Sequence, residues 1–303
     1  MFKTALLITI FSVISLSAQL ITPVPEQVEF NRDKAYLGKK LFSDPILSRD
    51  GTISCESCHS LSSGGDDGKP VSTGVGGKKG DINSPTIFNS RFNFKQFWNG
   101  RARDLKEQAL GPIHNPIEMD MTMREVVERL RLHSEYNREF IRLYGRVTER
   151  AVADALAEFE KALVTPNSRF DLYLKGKTKL TQKELKGYKI FKSKGCISCH
   201  HGVNIGGNMF QKFGVMIERE FDDKGRYDVT GKVRDKYYYK VPTLRNIEQT
   251  APYFHTGETY SLVVAVEEMA FRQLGISLSE EEVNLIVEFL KTLNGELPQI
   301  IKD

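Results

Sequence analysis

Helical periodicity dominates this chain wherever its hydrophobic positions are ordered. Val152, Leu156, Phe159 and Leu163 recur at three- and four-residue steps, which predicts a helix from about residue 149 to 164. Thr165-Pro166-Asn167 ends it, because proline removes a backbone donor and crowds the preceding turn. Thr122 and Glu125 form a capping box ahead of Val126, Val127 and Leu130. Thr181 with Glu184, and Ser279 with Glu282, open two more helices in the same way. Two shorter stretches, Leu37-Gly38-Lys39-Lys40-Leu41-Phe42 and Lys186-Gly187-Tyr188-Lys189-Ile190-Phe191, each lead the chain towards a cysteine pair, and their likeness points to a duplicated unit. Strand signals are few, the best lying at residues 237–241. The pattern predicts a mainly α protein with long loops.

Length adds a domain count. The 303 residues are enough for two cores, and the stop at Thr165-Pro166-Asn167 divides them into residues 19–165 and 166–303. Residues 1–18 read as a secretory signal: Lys3, an apolar run over residues 4–16, then Ser17-Ala18 as small residues before a cleavage point. An uncleaved membrane anchor is the competing reading, although the run is short for a bilayer span. The net charge of +4 is too small to imply nucleic acid or an anionic membrane as partner.

The cysteines carry the chemistry. Cys55-Glu56-Ser57-Cys58-His59 and Cys196-Ile197-Ser198-Cys199-His200 repeat one C-x-x-C-H pattern and use all four cysteines of the chain. That pattern attaches a c-type haem: two thiols add to the porphyrin vinyl groups and the histidine binds the iron. A four-cysteine zinc site gives no reason for a histidine after both pairs. A thioredoxin-like pair needs a βαβ setting that is absent, while disulfides stay open for an exported protein. The reading is a protein with two covalent c-type haems, exported to the periplasm.

Residues 62–80 form a loop with seven glycines from Gly64 to Gly80, which composition alone assigns to a flexible connection. Beyond it run Asn83-Ser84-Pro85-Thr86, Gln96-Phe97-Trp98-Asn99-Gly100-Arg101-Ala102 and Glu107-Gln108-Ala109-Leu110-Gly111-Pro112. Later come Val241-Pro242-Thr243-Leu244-Arg245-Asn246 and Ala251-Pro252-Tyr253-Phe254-His255-Thr256-Gly257. With the two haem motifs, these segments make the mature chain resemble the bacterial di-haem cytochrome c peroxidases and their MauG-like relatives.

That resemblance implies two tandem cytochrome c-like haem domains, peroxidatic first and electron-accepting second, usually paired as a homodimer. It implies reduction of hydrogen peroxide to water with electrons from a small donor protein such as cytochrome c. By position, it makes Glu118 the acid–base residue, Gln108 a positioner of peroxide, and Trp98 a relay between the haems. Met269 becomes the second ligand of the C-terminal iron, as methionine ligation suits an electron-accepting centre. Asn83, Thr250 and Pro252 become oxygen ligands of one calcium ion. Taken alone, each of these residues reads more simply as core, loop or turn. The cluster Met119, Met121 and Met123 is expected to pack rather than ligate.

One departure stands out. Many family members carry a distal histidine in a Ser-x-Gly-His stretch, whereas this chain reads Ser72-Thr73-Gly74-Val75. Valine cannot ligate iron, so the N-terminal haem is expected to be open in the oxidised state, with His114 as the rival capping residue. His133 and His201 read as structural, and His255 as a structural hydrogen-bonding residue near the second haem. Two other functions remain in view. A MauG-like oxidase of a protein or organic substrate is opposed by Met269, where MauG carries tyrosine. A di-haem electron carrier is opposed by Glu118.

Overall fold

The computed structural model describes residues 20–303, so the leader expected over residues 1–18 lies outside the described residues. The fold is mainly helical, as the hydrophobic pattern predicts, and it is built on two similar units.

In the first unit, α1 (Arg32–Ser43) leads to a single tight turn at Cys55–Ser57. Four helices follow: α2 (Leu105–His114), α3 (Met123–Leu132), α4 (Ser134–Tyr144) and α5 (Glu149–Ala162). In the second, α6 (Arg169–Leu174) and α7 (Gln182–Ser193) precede the equivalent turn at Cys196–Ser198. Then come β1 (Phe210–Lys212), α8 (Tyr227–Thr230), β2 (Tyr238–Lys240), α9 (Leu262–Met269), α10 (Glu280–Lys291) and α11 (Gln299–Lys302). The expected strand at residues 237–241 is β2, which pairs antiparallel with β1 in the register Phe210 to Lys240.

The capping signals act as read. Thr122, Thr181 and Ser279 each accept from the backbone N–H three residues on, and the glutamates there reach back to complete three capping boxes. His133 is a structural residue at the N-cap of α4, its ring accepting from the Tyr136 N–H. Met119, Met121 and Met123 are buried in the core of the first unit, which is the packing role expected of them.

Each unit turns on one helix crossing, and the two crossings match. Where α1 meets α5, a Cβ on Gly38 would collide with the Ala155 carbonyl oxygen. Where α7 meets α10, one on Gly187 would collide with that of Leu285. Glycine is needed at both places because the helix backbones touch. Four residues on, Phe42 packs edge-on against Phe159 and Phe191 packs against Phe289, each pair with ring centroids 5.2 Å apart.

The two units are laced together at their ends. Ile21, from the first described residues, sits in the core of the second unit, while Ile300 sits in the core of the first. Arg245 secures this arrangement from a fully buried position. It makes an ion pair with Asp171 at 2.8 Å and donates to the carbonyls of Val203 and Thr22. Asp171 also accepts from the Val24 N–H.

Replacing Gly38 or Gly187 with alanine is expected to destabilise the holoprotein by roughly 1–3 kcal/mol, read as a lower thermal midpoint. Alanine's better helix propensity, worth about 1 kcal/mol, opposes this. A raised midpoint would show that the helices do not touch there.

Candidate active site: two cysteine–histidine turns and the loops between them

The two C-x-x-C-H segments fold identically. In each, the second cysteine and the histidine direct their backbone N–H groups to the carbonyl of the first cysteine, at 3.0–3.3 Å. All four cysteines are free thiols, which removes the disulfide reading within this structure. Among the described residues, no cluster of three or more His, Cys, Asp or Glu side chains is arranged to hold a metal ion, so the zinc reading also lapses.

Each histidine is prepared as a ligand. His59 Nδ1 lies 3.2 Å from the Gly65 carbonyl and His200 Nδ1 lies 3.3 Å from that of Ile205. A carbonyl there fixes the proton on Nδ1 and leaves Nε2 with its lone pair outward. Burial holds both rings neutral, His59 below the usual histidine range and His200 down to about 4.

His200, Cys196 and Cys199 face a cavity of about 230 Å³ whose wall also carries Met269, Trp98 and Lys240. Met269 is the last residue of α9, and the chain continues through a wide helical turn at Ala270–Leu274. Such turns frequently mark functional sites. An apolar cavity edged by two free thiols, a neutral histidine and a thioether fits a covalently held haem. Tyr239 stacks on His255 with centroids 4.1 Å apart, and His255 Nε2 lies 3.3 Å from Asp223 Oδ2. His255 is thus buried among rings and a carboxylate at this second centre.

Glu118 belongs to the first centre. Its charge reaches Cys55 and Cys58, adding to the burial that chiefly raises both thiols. Burial pushes the Glu118 carboxyl above the ordinary range, opposed by the Asn115 amide that donates to Oε1 at 2.5 Å and by the Arg101 guanidinium. Gln108, on α2, has a buried Oε1 with no hydrogen-bond partner, an acceptor left for something outside the protein. Phe97 takes φ +67°, a conformation rare for a bulky residue, and its ring carries the Arg101 guanidinium 3.4 Å from its centroid.

The glycine-rich loop is held rather than loose. Val75 is buried and its N–H donates to the Glu118 carbonyl at 2.9 Å, while Gly74 lies so close to the backbone of Ile117 and Glu118 that no side chain would fit. His114 ends α2 on an exposed position. Composition alone had assigned this loop to a flexible connection; backbone contacts with the Glu118 turn fix it instead.

In the wall of the His200 cavity, Trp98 donates from Nε1 to the Asn83 carbonyl at 2.9 Å and meets His255 edge-on at 6.1 Å. Asn83, Thr250 and Pro252 all line the same cavity. Asp66 joins them there, buried and with its carboxyl pushed up to about 7 by burial. Sequence reasoning passed over Asp66, Arg101, Asn115 and Lys240. Asp66 gave no signal, being one polar residue in a polar loop. Lys240, a lysine inside the best strand of the chain, did give one.

The sequence profile of the family "Di-haem cytochrome c peroxidase" matches residues 32–179, and that of cytochrome c matches residues 185–294. The chain is 48% identical over 284 residues to a cytochrome c551 peroxidase of Nitrosomonas europaea, covering 92% of this chain and 85% of that one. It is 42% identical over 300 residues to the cytochrome c551 peroxidase of Pseudomonas aeruginosa, covering 94% and 87%. Among solved structures it resembles a MauG-like protein associated with microbial copper homeostasis. That match has a TM-score of 0.80 at 28% identity, covering 93% of this chain and 95% of the other.

Proposed function

This chain belongs to the di-haem cytochrome c peroxidase family, and from that premise we propose that it reduces hydrogen peroxide to water at its N-terminal centre, using electrons received at its C-terminal one. The observation that carries this reading is a half-buried Glu118 whose charge acts on Cys55 and Cys58, supported by a buried Gln108 Oε1 on α2 that has no hydrogen-bond partner.

Cys55, Cys58 and His59 would hold one haem, and Cys196, Cys199, His200 and Met269 the other; when bound, haem supplies the iron and the electron chemistry. The protein's part is acid–base work and positioning. An ionised Glu118 takes a proton from the near oxygen of peroxide and returns it to the far oxygen, which leaves as water. Gln108 Oε1 accepts from the peroxide O–H and orients it. Arg101 opposes the negative charge that builds up beside Glu118. Two electrons and two protons convert each peroxide to two waters.

Trp98, fixed by its bond to Asn83, supports passage of electrons between the centres. Met269 on the wall facing His200 favours a peroxidase over a MauG-like oxidase. Met216, Tyr260, Val264 and Phe271 are exposed apolar side chains around the Met269 helix and support docking of a small donor protein. Assignment to the periplasm and to a homodimer rests on the family. No helix of the described residues is long and apolar enough to cross a membrane. Asn83 and the carbonyls of Thr250 and Pro252 are proposed to hold calcium, with the Asp66 carboxylate beside them as compensating charge.

The Glu118 assignment is tested by kinetics. Glu118→Gln should lower kcat/KM for peroxide by about 10²–10⁴-fold with haem content unchanged; a loss under tenfold would remove Glu118 from the reaction. Activity needs the ionised carboxyl, so the acid limb of kcat/KM should lie above the ordinary glutamate range. Asn115→Ala removes a bond that lowers this pKa, so the limb should move to still higher pH.

Val75 and the exposed His114 support an open N-terminal centre in the oxidised protein. Its low-temperature EPR spectrum should show a high-spin ferric signal that peroxide consumes. Two low-spin signals indifferent to peroxide would mean that another residue caps the iron.

Chelating calcium should lower the thermal midpoint, and Asn83→Ala should remove most of the response. Saturation at 100 times Kd corresponds to about 2.7 kcal/mol. An unchanged midpoint would count against a calcium site.

A further inference from the structure

Lys240 is the one lysine of the described residues that is buried; 6% of its surface is exposed. No carboxylate of the described residues lies within 4 Å of its ammonium, and no protein acceptor bonds to it. Its backbone is fixed on both sides, the N–H donating to the Trp98 carbonyl at 2.7 Å and the residue pairing with Phe210 across the two strands. Lys240 is part of the wall of the cavity that holds Cys196, Cys199, His200 and Met269. Asp66 lines the same cavity but makes no ion pair with it.

An unpaired ammonium in an apolar cavity is costly, because burial strips its water without supplying a counter-charge. Burial alone pulls this one down to about 8. A cation placed this way is explained if the anion arrives with the cavity's occupant. Haem brings two carboxylates, its propionates, and they are the only charged groups on its periphery.

We propose that Lys240 is the counter-ion of a propionate of the C-terminal haem, and that this pair both orients the haem and sets its reduction potential. A fixed positive charge in a low-dielectric cavity stabilises the iron state of lower charge, so the ferrous form gains and the potential rises. Lys240 is a positioning residue here, acting on the centre that receives electrons and not on the peroxide chemistry. It also lies next in the chain to Tyr239, which stacks on His255, and is hydrogen-bonded to Trp98. The charge is therefore tied by backbone to the Trp98 and His255 cluster at the second centre.

The inference rests on the two-haem reading, which is checked separately by counting haems per chain. In Lys240→Met holoprotein, potentiometric titration should show the C-terminal haem shifted towards the ferric form by threefold or more. At 59 mV per tenfold for one electron, that is about 28 mV downwards. The N-terminal haem should move less, and Lys240→Arg, which keeps the charge, should restore most of the shift. An unmoved C-terminal potential, or an equal fall at both haems, would overturn the pairing while leaving the peroxidase reading intact. If Lys240→Met does not accumulate with two haems, Lys240→Arg carries the test. Its resonance Raman propionate bending modes should differ from wild type with the axial-ligand spectrum unchanged, and identical modes would overturn the proposal.

Discussion

The arrangement of the molecule hangs on the buried pair of Arg245 and Asp171. Its two side chains are fully shielded from solvent and join four segments that are remote in sequence: residues 22–24, the α6 helix, the loop after His200, and the Val241–Asn246 stretch. A charge pair without water is tolerable only when its remaining donors and acceptors are satisfied. Arg245 is satisfied by the carbonyls of Val203 and Thr22 and the Ser168 hydroxyl, and Asp171 Oδ1 by the Val24 N–H, while Asp171 Oδ2 is left without a partner. Because Val203 lies three residues beyond His200, the same contact shapes the loop whose Ile205 carbonyl orients that histidine. The stability of the scaffold and the aim of a ligand thus share one interaction.

Upon this frame, one structural unit was used twice and then specialised by its loops. The helix crossings at Gly38 and Gly187, the phenylalanine pairs and the cysteine turns correspond closely. What differs is what the loops add to each. Beyond the first turn, the glycine-rich loop brings apolar Val75 against the backbone of Glu118, whose carboxyl lies near Arg101. Beyond the second, α9 brings Met269 into a cavity closed by aromatic rings. A thioether favours reversible electron storage, whereas a carboxyl and an amide favour handling of protons. The division of labour proposed for the two centres rests on those side chains.

How much of this could be read from the chain depended on whether the signal was local. The capping boxes at Thr122, Thr181 and Ser279, the stop after α5 and the haem turns were legible, because each is set by residues within one or two turns. The stretch around His133 read as helical, but the start of α4 was not legible because its N-cap is a histidine, which is not a usual starting residue. Glu118 and Met269 came from family likeness, since neither a carboxylate in a loop nor a methionine on a helix announces a role. Asp66 gave no signal, and Lys240 only that of a lysine inside a strand, for another reason. Their significance is burial, and burial is a property of the folded chain, since residues 64–70 meet residues 249–257 only there.

The exchange of chain ends has a consequence for how the protein is made. Ile300 completes the core of the first unit, and Lys39 Nζ donates to its carbonyl across 261 positions of sequence. The first unit therefore does not complete its apolar core until the final residues are in place. Ile21 meanwhile has no home until the second unit exists. Contacts this far apart slow the final assembly step and leave unfinished surfaces exposed in the meantime.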